Sequence, residues 1–192
     1  MTTKPRPLLP LYRFTTTEYH RLGEAGALAE GRRTELLNGD IVEISPINSP
    51  HAGTVKQLNR LLGKIFGERA IVSVQDPVQL DDYSEPEPDL AVLAYRADLY
   101  TQAHPRPHEV LLIIEVADAS LDKDRQVKLP LYAAAGIPEV WIVNLPERQV
   151  EVYSQARQDG YADIHIYRPG EIIATKTVPK MEVDHILISA LP

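Results

Sequence analysis

Two acidic residues, Asp89 and Glu115, border apolar segments that predict buried β-strands. Asp89 directly precedes the apolar residues 90–93, and Glu115 directly follows the apolar run 110–114. A carboxylate at the end of a buried strand is costly unless it is exposed, paired or bound to a cation. Two converging carboxylates would form a hard-oxygen site suited to Mg²⁺ or Mn²⁺. Two acids at the rim of a sheet, each in a cap or a salt bridge, would leave the same pattern.

Lys128 is a candidate partner for these acids because it borders the core-facing side of a helix predicted over residues 121–135. It shares a stripe at four-residue spacing with Asp124 and Tyr132. A lysine beside metal-binding carboxylates can orient or help deprotonate water, and it can neutralise charge that develops on a phosphate. A lysine that reaches toward solvent and pairs with Asp124 would fit the same spacing. The apolar face of this helix is predicted at Val127, Leu131, Ala134 and Ala135.

Three further polar residues lie at positions where either a functional or a structural role is open. Glu35 lies in a predicted strand, and alternation places it opposite the following leucine, where an exposed acid is the simpler interpretation. Gln75 ends another strand with the same ambiguity. His51, at the start of a helix, could contact a phosphate or act as a hydrogen-bonded structural histidine. Neither histidine of the polar segment 95–108 shows metal-ligand spacing.

A basic ridge, defined by Lys56, Arg60 and Lys64, is predicted on the helix over residues 50–66. The three residues recur every four positions, opposite the apolar stripe of that helix. Such a ridge could follow a phosphate backbone. A solvated helix face that binds nothing would show the same spacing, so the ridge alone does not decide between the two interpretations.

The elements that must position these residues alternate between helices and strands. Thr15 and Glu18 form a capping box, and Asn38-Gly39 predicts a type I′ turn between two strands of a hairpin. The segment 110–143 should form a right-handed parallel strand–helix–strand crossover. This order predicts an α/β (α+β) domain with a mixed central β-sheet flanked by helices. The other strands are predicted over residues 70–74, 78–80, 90–93, 149–153 and 161–167.

Composition limits the class of protein. The chain has 192 residues, a formal net charge of −7 and no cysteine, which excludes disulfides, zinc–thiolate sites and thiol nucleophiles. A protein this acidic should contact nucleic acid only through a local basic patch. We expect residues 1–14 to form an extended arm and residues 15–192 a single domain. With no apolar run long enough for a membrane span, we predict a cytoplasmic protein without a membrane partner.

These segments together resemble the Uma family of bacterial restriction endonucleases, which belongs to the PD-(D/E)xK nuclease superfamily. The resemblance covers most of the chain, from about residue 15 to residue 192, and its motifs are specific as an ordered set. The lysine that the simple pattern places two residues after Glu115 is Ala117 here, and the chain resembles the branch in which that lysine has moved to the next helix. The matching segments are 34–42 (TELLNGDIV), 87–92 (EPDLAV), 112–116 (LIIEV), 124–129 (DRQVKL) and 136–143 (GIPEVWIV).

The resemblance implies a restriction-endonuclease-like mixed sheet and metal-dependent hydrolysis of phosphodiester bonds in DNA. Asp89, Glu115 and the Val116 carbonyl would hold Mg²⁺, with Mn²⁺ as the alternative ion. Glu35 would bind the metal directly or through water, and Lys128 would position the attacking water. Double-stranded DNA is the expected partner, and a homodimer is plausible because a double-strand cut needs two sites. A catalytically inactive module that only binds nucleic acid or assembles remains the alternative, and a hydrolase of small phosphoesters is a third hypothesis.

Overall fold

The N-terminal part of the chain forms one helix and one hairpin, in a computed structural model that describes residues 11–28 and 33–187. Helix α1 (Thr16–Glu24) starts at the predicted capping box, in which Thr15 and Glu18 bond each other's backbone amides. Strands β1 (Thr34–Leu37) and β2 (Asp40–Glu43) pair antiparallel. Their turn has positive φ at both central residues, 53° at Asn38 and 84° at Gly39, as a type I′ turn requires. Most of the predicted arm lies outside the described residues, and the boundary at residue 14 stays a prediction.

A long helix and a six-stranded sheet follow the hairpin. Helix α2 (Ser49–Phe66) is capped by Asn48, whose side chain accepts a hydrogen bond from the His51 amide. The helix packs on the sheet through its apolar stripe. The sheet runs in the order β3-β4-β5-β6-β7-β8, with one parallel pair, β5 and β6, among antiparallel neighbours. The sheet is therefore mixed, as predicted. Its strands are β3 (Ala70–Val74), β4 (Leu90–Ala94), β5 (Val110–Ala117), β6 (Glu139–Asn144), β7 (Gln149–Arg157) and β8 (Gly160–Tyr167).

The helical segment between β5 and β6 contains a π-helical turn. Helix α3 (Leu121–Lys123) passes into the π turn Asp124–Lys128 and then into α4 (Leu129–Ala134), whose second residue is Pro130. The Leu129 amide donates to the Asp124 carbonyl, five residues back. Because a π turn inserts an extra residue into the helix, it shifts which side chains face the sheet.

This shift makes the predicted apolar face wrong at two of its four positions, whereas Leu131 and Ala135 are partly buried against the core as predicted. Val127 is 41% exposed, and Ala134 is exposed as well. The buried stripe consists instead of Asp124, Lys128 and Tyr132, the three residues that share four-residue spacing. Lys128 therefore does not border the core-facing side but lies at its centre, with 3% of its surface exposed.

Two apolar layers cover the two faces of the sheet, because successive strand residues alternate between them. One layer joins the sheet to α2 and to the C-terminal elements β9 (Ile172–Ile173), β10 (Met181–Glu182) and α5 (Val183–Ile186). The other layer packs the sheet against α4 through Tyr132. Among the helices in the described ranges 11–28 and 33–187, none has the length and apolar character needed to cross a bilayer.

The prediction of a strand over residues 78–80 is wrong. These residues, which the structure describes, lie outside every strand and bond to loops instead. The Val78 amide donates to the Pro86 carbonyl, and the Gln79 amide donates to the Pro105 carbonyl. The apolar side chains of Val78 and Leu80 are nevertheless buried. Their alternating apolar pattern therefore indicates burial, not pairing in a strand.

Candidate active site

Strand alternation directs Glu115 toward the helix that carries Lys128. Strand β5 extends past its predicted end to Ala117, so Glu115 lies inside the strand. Leu112 and Ile114 belong to the layer of α2, whereas Ile113 and Ala117 belong to the layer of α4. Glu115 shares the parity of the second pair and so faces α4. There it is 3% exposed and accepts a hydrogen bond from the Tyr132 hydroxyl at 2.6 Å.

Asp89 lies at the start of β4, next to Glu115 in the sheet. The antiparallel register pairs Leu90 with Ile114, which brings the residue before Leu90 alongside Glu115. Three donors fix the Asp89 carboxylate. The Val116 amide donates to Oδ2 at 2.8 Å, and His51 Nε2 lies 3.0 Å from the same oxygen.

The third donor to Asp89 is Gln75, which the sequence left ambiguous. Its Nε2 donates to Asp89 Oδ1 at 3.2 Å, and its amide donates to the Asp89 carbonyl at 3.1 Å. Gln75 holds a left-handed backbone conformation, with φ of 56°. Only a few per cent of residues other than glycine adopt such a conformation, so it indicates a position that the surroundings strongly constrain.

Lys128 joins Glu115 to Glu35. Its Nζ lies 2.7 Å from Glu115 Oε1 and 3.3 Å from Glu35 Oε2, and it donates to the Glu87 carbonyl at 3.2 Å. Glu35 is 1% exposed, so the interpretation of this residue as an exposed strand acid is wrong. The hairpin β1–β2 thus presents a carboxylate to the same ammonium that contacts β5. Glu35, Asp89, Glu115 and Lys128 all line one pocket.

Lys123, Asp124 and Tyr132 belong to the same cluster. Lys123 Nζ donates to Glu35 Oε1 at 2.9 Å, so both carboxylate oxygens of Glu35 contact lysines. Asp124 is buried and accepts a hydrogen bond from Ser120 Oγ at 2.7 Å. In the sequence, Asp124 and Tyr132 stand out only as stripe neighbours of Lys128, and Lys123 does not stand out at all. Nothing in its spacing distinguishes Lys123, because its partner is 88 residues away along the chain.

The acids of the cluster differ in how readily they ionise. Burial raises the pKa of Glu115 to about 8; nearby Asp124 and Asp89 act in the same direction, and Lys128 opposes them. Burial also raises the pKa of Asp124. For Asp89, burial is outweighed by the hydrogen bond and charge of His51, which lower its pKa. With Glu35, whose pKa is also lowered, the cluster contains two acids that ionise readily beside two that resist ionisation.

The bases of the cluster are correspondingly stabilised in their charged forms. Burial disfavours the Lys128 ammonium, but Glu115, Glu35 and Asp124 outweigh burial and raise the pKa of Lys128. The hydrogen bond to Asp89 raises the pKa of His51. For Glu35, burial is outweighed by the charges of Lys128 and Lys123, which lower its pKa. The Lys128 ammonium therefore stays charged where a phosphate could approach it.

The donor chemistry fits a hard divalent cation, although the three acids are not gathered around one point. Asp89 and Glu115 offer carboxylate oxygens on one wall of the pocket, the ligand type that Mg²⁺ and Mn²⁺ prefer. Ligand atoms of Glu35, Asp89 and Glu115 do not all lie within 4.8 Å of one another. A metal bound directly by Glu35 would share its carboxylate oxygens with the contacts from Lys123 and Lys128.

The predicted nucleic-acid contacts divide between the pocket and an exposed helix face. His51 lines the pocket and is engaged with Asp89, which matches its structural alternative. Lys56, Arg60 and Lys64 are all exposed on α2, as a ridge for phosphates requires. The Arg60 guanidinium donates to Gln57 Oε1. Whether the ridge meets nucleic acid stays a prediction.

The fold and the site together define a class of protein. The chain is similar in fold to a solved structure described as that of "a putative nuclease belonging to DUF820 from Anabaena variabilis ATCC 29413". The two chains are 11% identical, with a TM-score of 0.69, and the match covers 93% of this chain and 98% of the other. At this identity the similarity shows the fold alone.

The family follows from the sequence of the whole domain. The model of the family Uma2, described as "Putative restriction endonuclease", matches residues 16–186, and the chain belongs to this family. The resemblance and the fold class predicted from the sequence are therefore confirmed. Family and fold support a restriction-endonuclease-like nuclease. No curated protein matches the chain.

Proposed function

We propose that this chain is a divalent-metal-dependent endonuclease that hydrolyses phosphodiester bonds of DNA. One observation carries the proposal: the buried Lys128 ammonium contacts Glu115 at 2.7 Å and Glu35 at 3.3 Å, in a pocket that Asp89 also lines. A fold that performs no chemistry gains little from burying this many charges, because the desolvation cost can exceed their mutual attraction. Carboxylates beside a lysine are the groups that metal-assisted phosphodiester hydrolysis uses.

Asp89, Glu115 and the Val116 carbonyl would hold Mg²⁺, or alternatively Mn²⁺. A divalent ion in such a site acidifies water and polarises a phosphoryl oxygen. His51, Gln75 and the Val116 amide keep the Asp89 carboxylate in one orientation. Neighbouring groups that fix a ligand's orientation in this way also strengthen cation binding.

Lys128 would position the attacking water and offset charge on the scissile phosphate. Its three contacts, to Glu115, Glu35 and the Glu87 carbonyl, fix the ammonium on the pocket wall. Glu35, held by Lys123 and Lys128, would orient that ammonium and bind the cation directly or through water. The protein thereby supplies preorganised charge at the point where the phosphate gains negative charge.

Double-stranded DNA is the substrate that we propose, with Lys56, Arg60 and Lys64 contacting its phosphates. Each such contact should strengthen the dependence of binding on salt concentration. A homodimer would supply the second site that a double-strand cut needs, and a cytoplasmic location remains a prediction from the sequence.

The test is nicking of a supercoiled plasmid by the purified chain with Mg²⁺, with Mn²⁺ and with EDTA. We expect cleavage with either ion, none with EDTA, and a loss of about a hundredfold or more in Asp89→Asn and Lys128→Met. Lys180→Met, which replaces an exposed lysine, is the matched control and should cut normally. Absence of cleavage under every divalent ion would refute the proposal.

Two other outcomes would identify the alternatives. DNA binding that survives both EDTA and Asp89→Asn, and that Arg60→Ala weakens, would indicate an inactive binding module. Turnover of a chromogenic phosphodiester without any effect on DNA would indicate a hydrolase of small phosphoesters.

A further inference from the structure

A second cluster of metal-binding side chains lies where three segments meet. His20 comes from α1, Glu85 from the loop before β4, and His104 from the polar segment 95–108 after β4. His20 Nε2 lies 2.7 Å from Glu85 Oε1, and the two imidazole rings have their centroids 6.0 Å apart. One ligand atom from each residue lies within 4.8 Å of the other two.

Glu85 indicates that this cluster is more than a surface ion pair. Its side chain is 2% exposed, and its Oε2 has no hydrogen-bond partner among the described residues. A buried carboxylate oxygen without a partner destabilises the fold, because it loses its hydrogen bonds to water and no hydrogen bond within the protein replaces them. A cation bound at Glu85 would supply the missing interaction.

The backbone around Glu85 is fixed, so the carboxylate is held in place for a ligand. Glu85 and Leu36 form an isolated antiparallel bridge, and the Glu85 amide donates to the Leu36 carbonyl at 2.7 Å. On the opposite side, the Thr16 amide of α1 donates to the Asp82 carbonyl at 2.8 Å. The loop that carries Glu85 is thus bonded to both the hairpin and α1, while His20 and His104 remain exposed and can adjust.

We propose that His20, Glu85 and His104 bind one borderline transition-metal ion of the Zn²⁺ class. Two imidazoles and one carboxylate are ligands that suit Zn²⁺, whereas Mg²⁺ takes oxygen ligands. Ligand atoms on a tetrahedral zinc ion lie about 3.3 Å apart, so side-chain adjustment within the present spread suffices. The site is separate in residues and in ligand chemistry from the Asp89–Glu115 pocket, and it does not depend on the proposed nuclease activity.

The bound ion would connect α1 to the loops on both sides of β4. Since the Glu85 loop is bonded to Leu36, the residue after Glu35, the ion would also stabilise the hairpin that presents Glu35 to Lys128. Its role would be structural, and binding should appear as increased stability of the folded chain.

The experiment is calorimetric titration of ZnCl₂ into the full chain, freed of metal and carrying no histidine tag, at a pH where free imidazole is neutral. We expect one zinc ion per chain and a higher thermal unfolding midpoint with zinc than without it. His20→Ala and His104→Ala should each weaken binding roughly tenfold or more, since even groups that only orient a ligand have effects of that size. Millimolar Mg²⁺ should not compete.

Two controls separate this site from others. His165→Ala and His185→Ala remove exposed histidines that each lie 3.5 Å from an acid, and both variants should bind zinc normally. Asp89→Asn should also retain the zinc ion. The proposal is overturned if zinc does not bind saturably, if binding is unchanged in both His20→Ala and His104→Ala, or if it is lost in Asp89→Asn instead.

Discussion

Replacing Glu115 by glutamine should stabilise the metal-free protein at neutral pH, while it removes an acid that we place at the centre of the activity. The pKa of an unfolded glutamate is about 4.3, and burial raises that of Glu115 to about 8. Between these two pH values the folded chain binds more protons than the unfolded chain, so its stability falls as pH rises. At pH 7 the raised pKa therefore lowers the free energy of unfolding by about 4 kcal/mol.

Glutamine has no carboxylate, so the loss of stability that comes from burying the ionisable Glu115 does not arise, and the local contacts are kept. Its carbonyl oxygen can still accept from the Tyr132 hydroxyl and from Lys128 Nζ, the two donors to Glu115 Oε1. We therefore expect the free energy of unfolding of Glu115→Gln to exceed that of the parent chain by about 4 kcal/mol near pH 7, and the gain to disappear near pH 4. Urea unfolding in EDTA at both pH values measures the difference.

Glu151 provides a control of opposite sign. It is also buried, but hydrogen bonds from Arg125, Asn144, Tyr153 and Gln149 outweigh burial and lower its pKa. The stability that its ionised form contributes is present above the unfolded pKa and is lost as pH falls through the folded pKa. Glu151→Gln should therefore be less stable than the parent chain at neutral pH and approach it in acid. A gain in Glu115→Gln that is the same near pH 4 and near pH 7 would refute the reasoning about Glu115.

Three smaller changes test how the site is held. Tyr132→Phe removes a donor from Glu115 and should cost about 1 kcal/mol in urea unfolding, a loss that unchanged stability would contradict. Gly39→Ala should cost more than about 1 kcal/mol, because φ is 84° and the new Cβ would lie 2.5 Å from Arg13 Cβ; an unchanged thermal midpoint would oppose this. Val127→Glu should change stability by less than about 0.5 kcal/mol, since Val127 is 41% exposed, and a large loss would show that this face is buried.

Features set by neighbouring residues could be predicted from the sequence. The capping box at Thr15 and the turn at Asn38-Gly39 depend on a few consecutive residues, and both are confirmed. Glu115 could be singled out because an acid adjoining five consecutive apolar residues is itself an unusual local signal. The alternation of β5 then supplies its direction without further information.

Features set by a change of helical geometry could not be predicted in the same way. The apolar face assigned to Val127 assumed 3.6 residues per turn, and the π turn at Asp124–Lys128 breaks that assumption. The stripe of Asp124, Lys128 and Tyr132 was visible in the sequence, but its polarity argued against burial. The buried position of Lys128 is explained by its contacts with two carboxylates, Glu35 of the hairpin and Glu115 of β5.

Partners that come from distant segments leave almost no sequence signal. Lys123 reaches Glu35, and His104 approaches His20 and Glu85, across separations that the fold alone determines. The spacing rules for metal ligands assume that the ligands share one helix or one loop. The two histidines and the glutamate lie on three segments, so the absence of a spacing pattern around His104 did not show that it lacks metal-binding neighbours.

The distribution of charge in the pocket connects its stability to its proposed activity. Four acids, Glu35, Asp89, Glu115 and Asp124, surround two lysines, so full ionisation would leave an excess of negative charge in a buried site. The raised pKa values of Glu115 and Asp124 mean that protons relieve this excess when no cation is bound. A divalent ion would replace those protons and make the ionised form the stable one. Glu115 therefore has both effects: its burial weakens the metal-free fold, and its carboxylate would contribute to the affinity of the pocket for a cation.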